Sequence, residues 1–455
     1  MTALLVLLLG AVSLALQVTS GRPRAARRTA LLLIGAGLGL VAVLAGLVLL
    51  GAGLIGTAVA LVGAAAWAFT TLRTADERTV VTRWGVMILV VALCAVIDAH
   101  SGGHGLGPAG SVDRLTAGAG ALMLLTTPAN EVVAAVRAAD EVGTPLLLLS
   151  GGSNLVIADD GFRGTVVRIA TKGVRVESTH DEHVDVVVAA GEVWDDVVAR
   201  AVAEGWSGIE ALSGIPGLAG ATPVQNVGAY GQEVAQTITR VRVWDRDERR
   251  ERTFTAQECA FTYRHSVFKE TGRHVVLEVT FRLGRGGLSA PVAYADLARQ
   301  LGVEQEDRVP LAAAREAVLA QRGIRGMVLD AADHDTWSCG SFFTNPILPA
   351  ERFDELVERA AQRLGPQGPT PPVFPAGEGL VKTSAAWLID KAGFGKGHAM
   401  PGPAALSTKH TLAVTNRGTA TAADIAALAR EVRDGVESAF GVTLVNEPVF
   451  VGHEL

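Results

Sequence analysis

Two patterns of hydrophobic residues divide the chain. The first part is dominated by long apolar runs at residues 4–18, 29–50, 54–72 and 84–97. A helix that crosses a bilayer needs about 17–25 consecutive apolar residues, which the second and third runs provide, the first approaches and the fourth lacks. We therefore predict an all-α membrane segment and linker over residues 1–105, and the linker is rich in glycine.

Beyond residue 127 the apolar positions recur at shorter intervals. Val132, Val133, Val136 and Ala139 mark one face of a helix, which Gly143 ends. Strands are predicted at 145–149, 155–158, 165–169 and 184–190, and further helices at 194–204 and 425–440. Because strands and helices mix without a strict alternation, the predicted fold class of this part is α+β.

Charge follows the same division. Residues 1–72 contain no Asp, Glu or Lys, and their four arginines all lie within 22–28. Seven arginines against Asp76, Glu77 and Asp98 give residues 1–105 a net charge of +4, so the total of −6 leaves −10 for the rest. An acidic globular part indicates no nucleic-acid partner, because such a surface needs a basic face. A cleaved signal peptide is disfavoured, since its basic residues would precede the first apolar run.

Two turns rich in glycine are candidates for binding a phosphorylated ligand. No GxGxxG sequence follows a strand and opens a helix, so the usual dinucleotide fingerprint is missing. Residues 150–154 (SGGSN) and 213–217 (SGIPG) could instead expose backbone N–H groups to a pyrophosphate. The first turn taken alone is equally typical of hairpin chemistry. Three scattered cysteines without a CxxC pair predict no metal site.

Taken together, seven motifs in a fixed order are far more specific than any one turn. They are LSGGSNL at 149–155, GIEALSGIPG at 208–217, PVQNVGAYG at 223–231, YRHSVFK at 263–269, GSFFTNP at 340–346, KTSAAWLIDKA at 382–392 and NEPVFVG at 446–452. Over residues 115–453 the chain resembles the UDP-N-acetylenolpyruvoylglucosamine reductase (MurB) family. The membrane segment is foreign to that family.

The resemblance implies a fold and a reaction. The fold is an FAD-binding region of the vanillyl-alcohol-oxidase (PCMH) type at residues 106–285, followed by a C-terminal α+β substrate domain at 286–455. In the implied reaction NADPH reduces FAD, and the flavin then delivers hydride to the enolpyruvyl group of UDP-N-acetylglucosamine enolpyruvate. The product is UDP-N-acetylmuramate, a precursor of peptidoglycan.

The resemblance also implies site residues. Arg264 matches a cation that binds the substrate carboxylate, Ser341 a proton donor, and Glu447 a third catalytic residue. An arginine fork suits a carboxylate, and a serine can act as an acid only towards a strongly basic carbanion. The implied FAD-binding residues are Ser150, Gly151, Gly152, Ser153, Asn154, Leu155, Ile215, Gly217, Gln225, Asn226, Gly228, Ala229 and Tyr263. The implied substrate-binding residues are Tyr294, Arg325, Asn345 and Lys382.

Some readings stay open from the sequence. Ser341 could also cap a helix beginning at Phe342, and Arg264, Glu447 or Tyr263 could be ordinary surface or core residues. Arg325 stands where the family often has lysine, Cys339 replaces an alanine, and residues 115–120 match the family least. Two other functions compete: another flavin oxidoreductase of the same fold, or a membrane scaffold with a degenerate flavoprotein domain.

Membrane topology must satisfy both charge and chemistry. The arginine cluster at 22–28 favours the cytoplasmic side, so the N-terminus would lie outside. NADPH and a UDP-sugar are cytosolic, which requires an odd number of spans before the enzyme. We therefore predict three spans, with residues 84–97 on the membrane surface, and a cytoplasmic enzyme tethered to the lipid bilayer.

Overall fold

The computed structural model describes residues 122–126, 129–269 and 271–455. The predicted membrane runs, the linker and the poorly matching residues 115–120 lie outside this described part. None of the helices in the described ranges is both long and apolar enough to cross a membrane.

The first layer is a small parallel sheet covered by a helix. Within the described residues its strand order is β1-β4-β2, and the apolar face of helix α1, with Val132 and Val136 fully buried, packs against it. The elements in chain order are β1 (Leu122–Thr126), α1 (Ala129–Val142), β2 (Leu146–Leu149), β3 (Leu155–Ile157) and β4 (Thr165–Ile169). The parallel β1-α1-β2 connection places residues 150–154 directly after the buried end of β2.

A larger antiparallel sheet forms the second layer. In the part of the chain that the structure describes, its strands run in the order β11-β10-β12-β6-β5, and β7 also pairs with β12. Trp194 and Phe281 are fully buried between this sheet and helix α2. The elements are β5 (Val174–Thr179), β6 (His183–Ala189), α2 (Trp194–Ala203), β7 (Trp206–Ser207), β8 (Gly228–Ala229), β9 (Gln232–Glu233), β10 (Ile238–Asp245), β11 (Arg250–Thr255) and β12 (His274–Arg285).

The C-terminal region is built around one long helix. Helix α7 buries Ile425, Leu428, Val432, Val436 and Phe440 against the short strands and helices around it. The elements are α3 (Ala295–Leu301), α4 (Leu311–Ile324), β13 (Ile347–Pro349), α5 (Ala350–Leu364), β14 (Phe374–Pro375), β15 (Leu380–Lys382), α6 (Ala385–Ala392), β16 (Ala404–Leu406), β17 (Val414–Asn416), α7 (Ala422–Phe440) and β18 (Val449–Val451).

The end of the chain returns to the first glycine turn. Strand β18 pairs in parallel with β3, and the N–H of Val449 donates to the carbonyl oxygen of Asn154 at 3.0 Å. This pairing brings Glu447 next to a turn almost 300 residues earlier in the sequence.

The predicted elements agree closely with the structure. The strand at 165–169 is matched residue for residue, those at 145–149 and 155–158 differ by one residue at one end, and that at 184–190 is shifted by one residue. The helix predicted from residue 425 begins three residues earlier, because Thr421 and Asp424 form a capping box there. Gly441 ends it in the left-handed conformation. The mixture of helix and sheet confirms the α+β fold class.

Candidate functional site

Arg264 lies in a tight turn, and its side chain reaches the backbone of residues 226–228. Its own φ is +55°, and Thr262 and His265 bond across the turn. The guanidinium donates to the carbonyl oxygen of Gly228 at 2.7 Å, and a Cβ on Gly228 would lie 3.0 Å from Arg264 Nη1. The position of this cation therefore depends on a glycine at 228.

Glu447 meets Arg264 from the other end of the chain. Its Oε1 lies 3.6 Å from Arg264 Nε and accepts a hydrogen bond from Gln225 at 3.1 Å. The side chain of Asn154 donates both to Gln225 and to the backbone oxygen of Glu447. Burial raises the pKa of Glu447, and the nearby cations Arg264 and Lys269 oppose the shift only in part. The carboxyl group therefore keeps its proton to a higher pH than an ordinary glutamate.

Ser341 is positioned by backbone pairing with the segment that carries Glu447. The N–H of Glu447 donates to the carbonyl oxygen of Phe342 at 2.8 Å, and Phe343 forms a bridge with Asn446. Phe342 and Phe343 are both buried in the C-terminal core. No helix begins at Phe342, so the reading of Ser341 as a helix N-cap is wrong.

Tyr263, Lys382 and Asn345 form one wall beside Arg264. The guanidinium carbon of Arg264 lies 5.1 Å from the centre of the Tyr263 ring, and Lys382 Nζ lies 4.8 Å from it. The N–H of Asn345 donates to the Tyr263 hydroxyl at 3.4 Å. Two cations around one aromatic ring favour binding of an anionic ligand next to it.

The two predicted glycine turns touch each other. A Cβ placed on Gly151 would lie 2.9 Å from the Cα of Gly217, so the turns pack backbone to backbone. Gly152, Gly214 and Gly217 have positive φ angles, which glycine adopts without strain. The hydroxyl of Ser150 is buried without a hydrogen-bond partner among the described residues. An orphaned donor beside two glycine turns fits a pyrophosphate, so these residues could hold FAD.

Arg322 adds a cation that the sequence reading missed. It is buried against the second glycine turn, where a Cβ on Gly214 would lie 3.3 Å from its Nε, and that Nε has no partner among the described residues. Its Nη2 donates to the oxygen of Met327 at 2.8 Å. Burial lowers the pKa of Arg322, because a charged group is costly away from water. Arg322 lies on α4, three residues before Arg325, and this spacing was the only indication of its role in the sequence.

Tyr294 and Arg325 belong to a neighbouring cluster. The rings of Tyr230 and Tyr294 meet edge to face at 5.5 Å, and the Arg325 guanidinium lies 5.9 Å from the Tyr230 ring. Arg325 also pairs with Asp296 at 3.3 Å. Among the described residues, the hydrogen bonds, ion pairs and ring contacts of Tyr294 and Arg325 do not involve Arg264 or Glu447. Tyr230, although part of the PVQNVGAYG motif, was not among the predicted site residues.

The comparison with known proteins identifies the family. Residues 121–253 match the family model of an FAD binding domain, and residues 331–451 match that of the UDP-N-acetylenolpyruvoylglucosamine reductase C-terminal domain. The UDP-N-acetylenolpyruvoylglucosamine reductase of Streptomyces coelicolor is 62% identical over 341 residues, which are 74% of this chain and 87% of that protein. The same enzyme of Thermobifida fusca is 58% identical and covers 71% and 90%. This chain belongs to the UDP-N-acetylenolpyruvoylglucosamine reductase family. The resemblance drawn from its motifs is thereby confirmed.

One departure from the family pattern is clarified by the structure. The Cys339 thiol donates to the carbonyl oxygen of Leu155 at 3.4 Å, and burial raises the pKa of Cys339 to about 12. Because the thiolate is the reactive form of cysteine, this reductase keeps Cys339 as a neutral packing group beside Ser341.

One group of residues in the described ranges has the spacing of a metal site. His180, His183 and Asp185 have ligand atoms within 4.8 Å of one another. Both oxygens of Asp185 already accept hydrogen bonds from Arg282, at 2.8 and 2.9 Å. A metal would have to compete with this cation, so we assign the group no role in the reductase.

Gly151→Ala should weaken FAD binding. The added methyl group would separate the two glycine turns, and such overpacking costs about 1–3 kcal/mol. We expect less flavin absorbance per mole of purified protein than in the wild type. Gly395→Ala is the matched control, because a Cβ there meets no atom within 4 Å. Full flavin content in both variants would contradict FAD binding by the two glycine turns.

Glu447→Gln should change how stability depends on pH. A carboxyl group whose pKa is raised by folding stabilises the protein fully below its unfolded pKa, and this contribution is lost as pH rises through the folded pKa. Relative to wild type, the variant should therefore gain free energy of unfolding from about pH 4 towards neutrality. Glu358→Gln, at an exposed position, is the control for loss of one negative charge. Parallel stability curves for Glu447→Gln and wild type would contradict the burial effect.

Proposed function

We propose that this chain reduces UDP-N-acetylglucosamine enolpyruvate to UDP-N-acetylmuramate with NADPH and FAD, a step of peptidoglycan precursor synthesis. The observation that carries the proposal is the meeting of Arg264 and Glu447 beside the paired glycine turns. Membership of the reductase family supports the same reaction. The individual roles below rest on matched motif positions and on this geometry.

FAD would be held by the residues around the two turns. When bound, it supplies hydride chemistry, taking hydride from NADPH and passing it to the enolpyruvyl group. The hydroxyl of Ser150 and the backbone N–H groups of residues 151–154, Ile215 and Gly217 offer donors to its pyrophosphate, and Arg322 offers a buried positive charge. The N–H of Gly214 instead donates to Asp195 at 2.6 Å. Gln225, Asn226 and Gly228 lie next to Arg264, where the reacting end of the cofactor is proposed to sit.

Arg264 is proposed to bind and orient the substrate carboxylate. Its guanidinium is fixed by the oxygen of Gly228 and lies near Glu447, so it needs little reorganisation when negative charge develops. An arginine stays charged at all physiological pH values and presents a planar fork to a carboxylate. Lys382 and Asn345 extend the polar wall along Tyr263 and are proposed to contact the same substrate.

Ser341 is proposed to donate the proton that completes the reduction. The backbone pairing of residues 342–344 with 445–447 fixes the loop that carries its hydroxyl. Glu447, whose pKa is raised by burial, can donate a hydrogen bond to the substrate while protonated and so assist this step. Tyr294 and Arg325, in the neighbouring cluster, are proposed to hold the nucleotide part of the substrate.

The domain boundaries and the membrane tether are also proposals. We propose an extension at residues 1–105, an FAD-binding domain at 106–285 and a substrate domain at 286–455. The matched ranges 121–253 and 331–451 fall inside the last two. The apolar runs before residue 98 support a tether that keeps the enzyme at the cytoplasmic face of the cell membrane.

Ser341→Ala should separate the two half-reactions. NADPH should still bleach the bound flavin, because that step needs no proton from Ser341. Reoxidation by UDP-N-acetylglucosamine enolpyruvate should slow by about 10²–10⁴, the usual worth of a general acid. Stopped-flow absorbance measures both steps.

Thr421→Ala is the control for lost stability, because it removes a remote capping box at the start of α7. It should leave both half-reactions unchanged. An equal slowing of both half-reactions in Ser341→Ala would make Ser341 structural. A colourless, well-folded wild-type protein would overturn the proposed function itself.

A topology reporter tests the tether. Residues 84–97 would span about 21 Å as a helix at 1.5 Å per residue, which is short of a 30 Å hydrocarbon core. Arginines 22–28 also gain free energy at the anionic cytoplasmic surface. A reporter fused after Asp113 should therefore be active only in its cytoplasmic form. Periplasmic activity would mean four spans and would deprive the enzyme of its cytosolic substrates.

A further inference from the structure

Glu210 is a buried carboxylate that the proposed reaction does not use. Glu210 is only 2% exposed, and it begins a short 3-10 helix at Glu210–Leu212. Its Oε2 accepts from the N–H of Gly208 at 2.6 Å, and its Oε1 accepts from Gln232 at 2.9 Å and from the N–H of Ala290 at 2.6 Å. Three donors from three separate segments therefore converge on one side chain.

The three segments are those that form the site. The backbone oxygen of Glu210 accepts hydrogen bonds from Ser213, the first residue of the second glycine turn. Gln232 follows Tyr230 and also accepts from the N–H of Ala211 at 2.8 Å. Ala290 opens the stretch that leads to Tyr294. Glu210 thus links the proposed FAD turn, the segment beside Arg264 and the substrate segment.

The stretch at residues 289–294 is held from two sides. On one side its backbone pairs with residues 306–309 through Ser289 and Val292. On the other side stand the Glu210 bond to Ala290 and the close approach of Gly231, where a Cβ would lie 2.8 Å from the Cβ of Ala293. The bond to Glu210 therefore sets how near this stretch, and the Tyr294 ring at its end, lies to Tyr230.

We propose that Glu210 is a positioning residue that fixes the 289–294 stretch against the cofactor turn, so that Tyr294 is set for the nucleotide part of the substrate. The proposal rests on the proposed function for the identity of the ligand. It predicts that loss of Glu210 raises the KM for the UDP-sugar substrate and leaves flavin reduction by NADPH unchanged.

Glu210→Ala is the main test, in the full-length flavoprotein. Removal of both acceptor oxygens, and with them all three hydrogen bonds, should raise the KM for UDP-N-acetylglucosamine enolpyruvate about ten- to a hundredfold, the worth of one or two unsatisfied buried donors. Glu210→Gln should restore much of the affinity. Its amide oxygen can still accept the hydrogen bonds from Ala290 and Gln232, so that only the bond from Gly208 is lost.

Asp245→Ala is the matched control. Asp245 is also a fully buried carboxylate, and it accepts from the backbone N–H groups of Asp247 and Glu248 and from Arg273. It lies on β10, and its hydrogen bonds and ion pairs within the described residues do not involve residues 289–294. Its loss should lower the melting temperature without changing the KM. An equal rise in KM in Asp245→Ala and Glu210→Ala would overturn the proposal.

A second pair of variants guards against misfolding of Glu210→Ala. Ala290→Pro removes the N–H donor from a half-buried position and leaves Glu210 intact, whereas Ala290→Ser keeps the donor. The proline variant should raise the KM and the serine variant should not. In the double variant with Glu210→Ala the two effects should not multiply, since both remove the same bond. Independent effects would contradict the link.

Hydrogen exchange gives an outcome that does not depend on the reaction. Amide exchange over residues 289–294 should be faster in Glu210→Ala than in wild type and unchanged in Asp245→Ala. If the wild type does not turn over the UDP-sugar substrate, the proposed function fails, and exchange alone then decides the role of Glu210. Unchanged exchange in Glu210→Ala would overturn that role.

Discussion

The pairing of β18 with β3 is the constraint on which the site depends. It places the C-terminal segment against the turn at residues 150–154, and Asn154 then bonds both to Gln225 and to the backbone of Glu447. Together with the pairing of Glu447 and Phe342, it brings Glu447 near Arg264, which is 183 residues earlier. A strand of three residues thus joins the two ends of the site, and its few backbone bonds are reinforced by the bonds of the Asn154 side chain to Gln225 and to the backbone of Glu447.

Electrostatics inside the closed site depend on burial as much as on charge. Glu447 and Arg264 are opposite charges 3.6 Å apart, and yet burial raises the pKa of the carboxyl group instead of lowering it. The guanidinium directs one of its N–H groups to the oxygen of Gly228, so it does not form a bidentate pair with Glu447. Arg264 Nη1 also lies 3.8 Å from Glu233 Oε1, so Glu447 is one of two carboxyl groups near the guanidinium.

Part of the fold, four strands and three helices, could be predicted from the pattern of residues, because those signals are local. Apolar periodicity located α1, α2 and α7, and Gly143 located the end of α1, whereas the capping box at the start of α7 was missed. The catalytic candidates came from motif resemblance, since no spacing rule connects Arg264 to Glu447. Arg322, Tyr230 and Glu210 were missed for a physical reason. Each acts through contacts with segments distant in sequence, and an isolated arginine, tyrosine or glutamate carries no local pattern.

Buried polar atoms without hydrogen-bond partners occur in two kinds of surroundings. Among the described residues, the Ser150 hydroxyl, Arg322 Nε and both ring nitrogens of His274 have no hydrogen-bond partner. His274 packs edge to face on Phe254 and Phe268, its Nε2 lies 3.6 Å from Asp245 Oδ2, and burial lowers its pKa although Asp245 opposes the shift. Ser150 and Arg322 instead lie beside Gly152 and Gly214, both of which have positive φ angles. An unsatisfied atom indicates a ligand only where the surrounding backbone is also shaped to bind one.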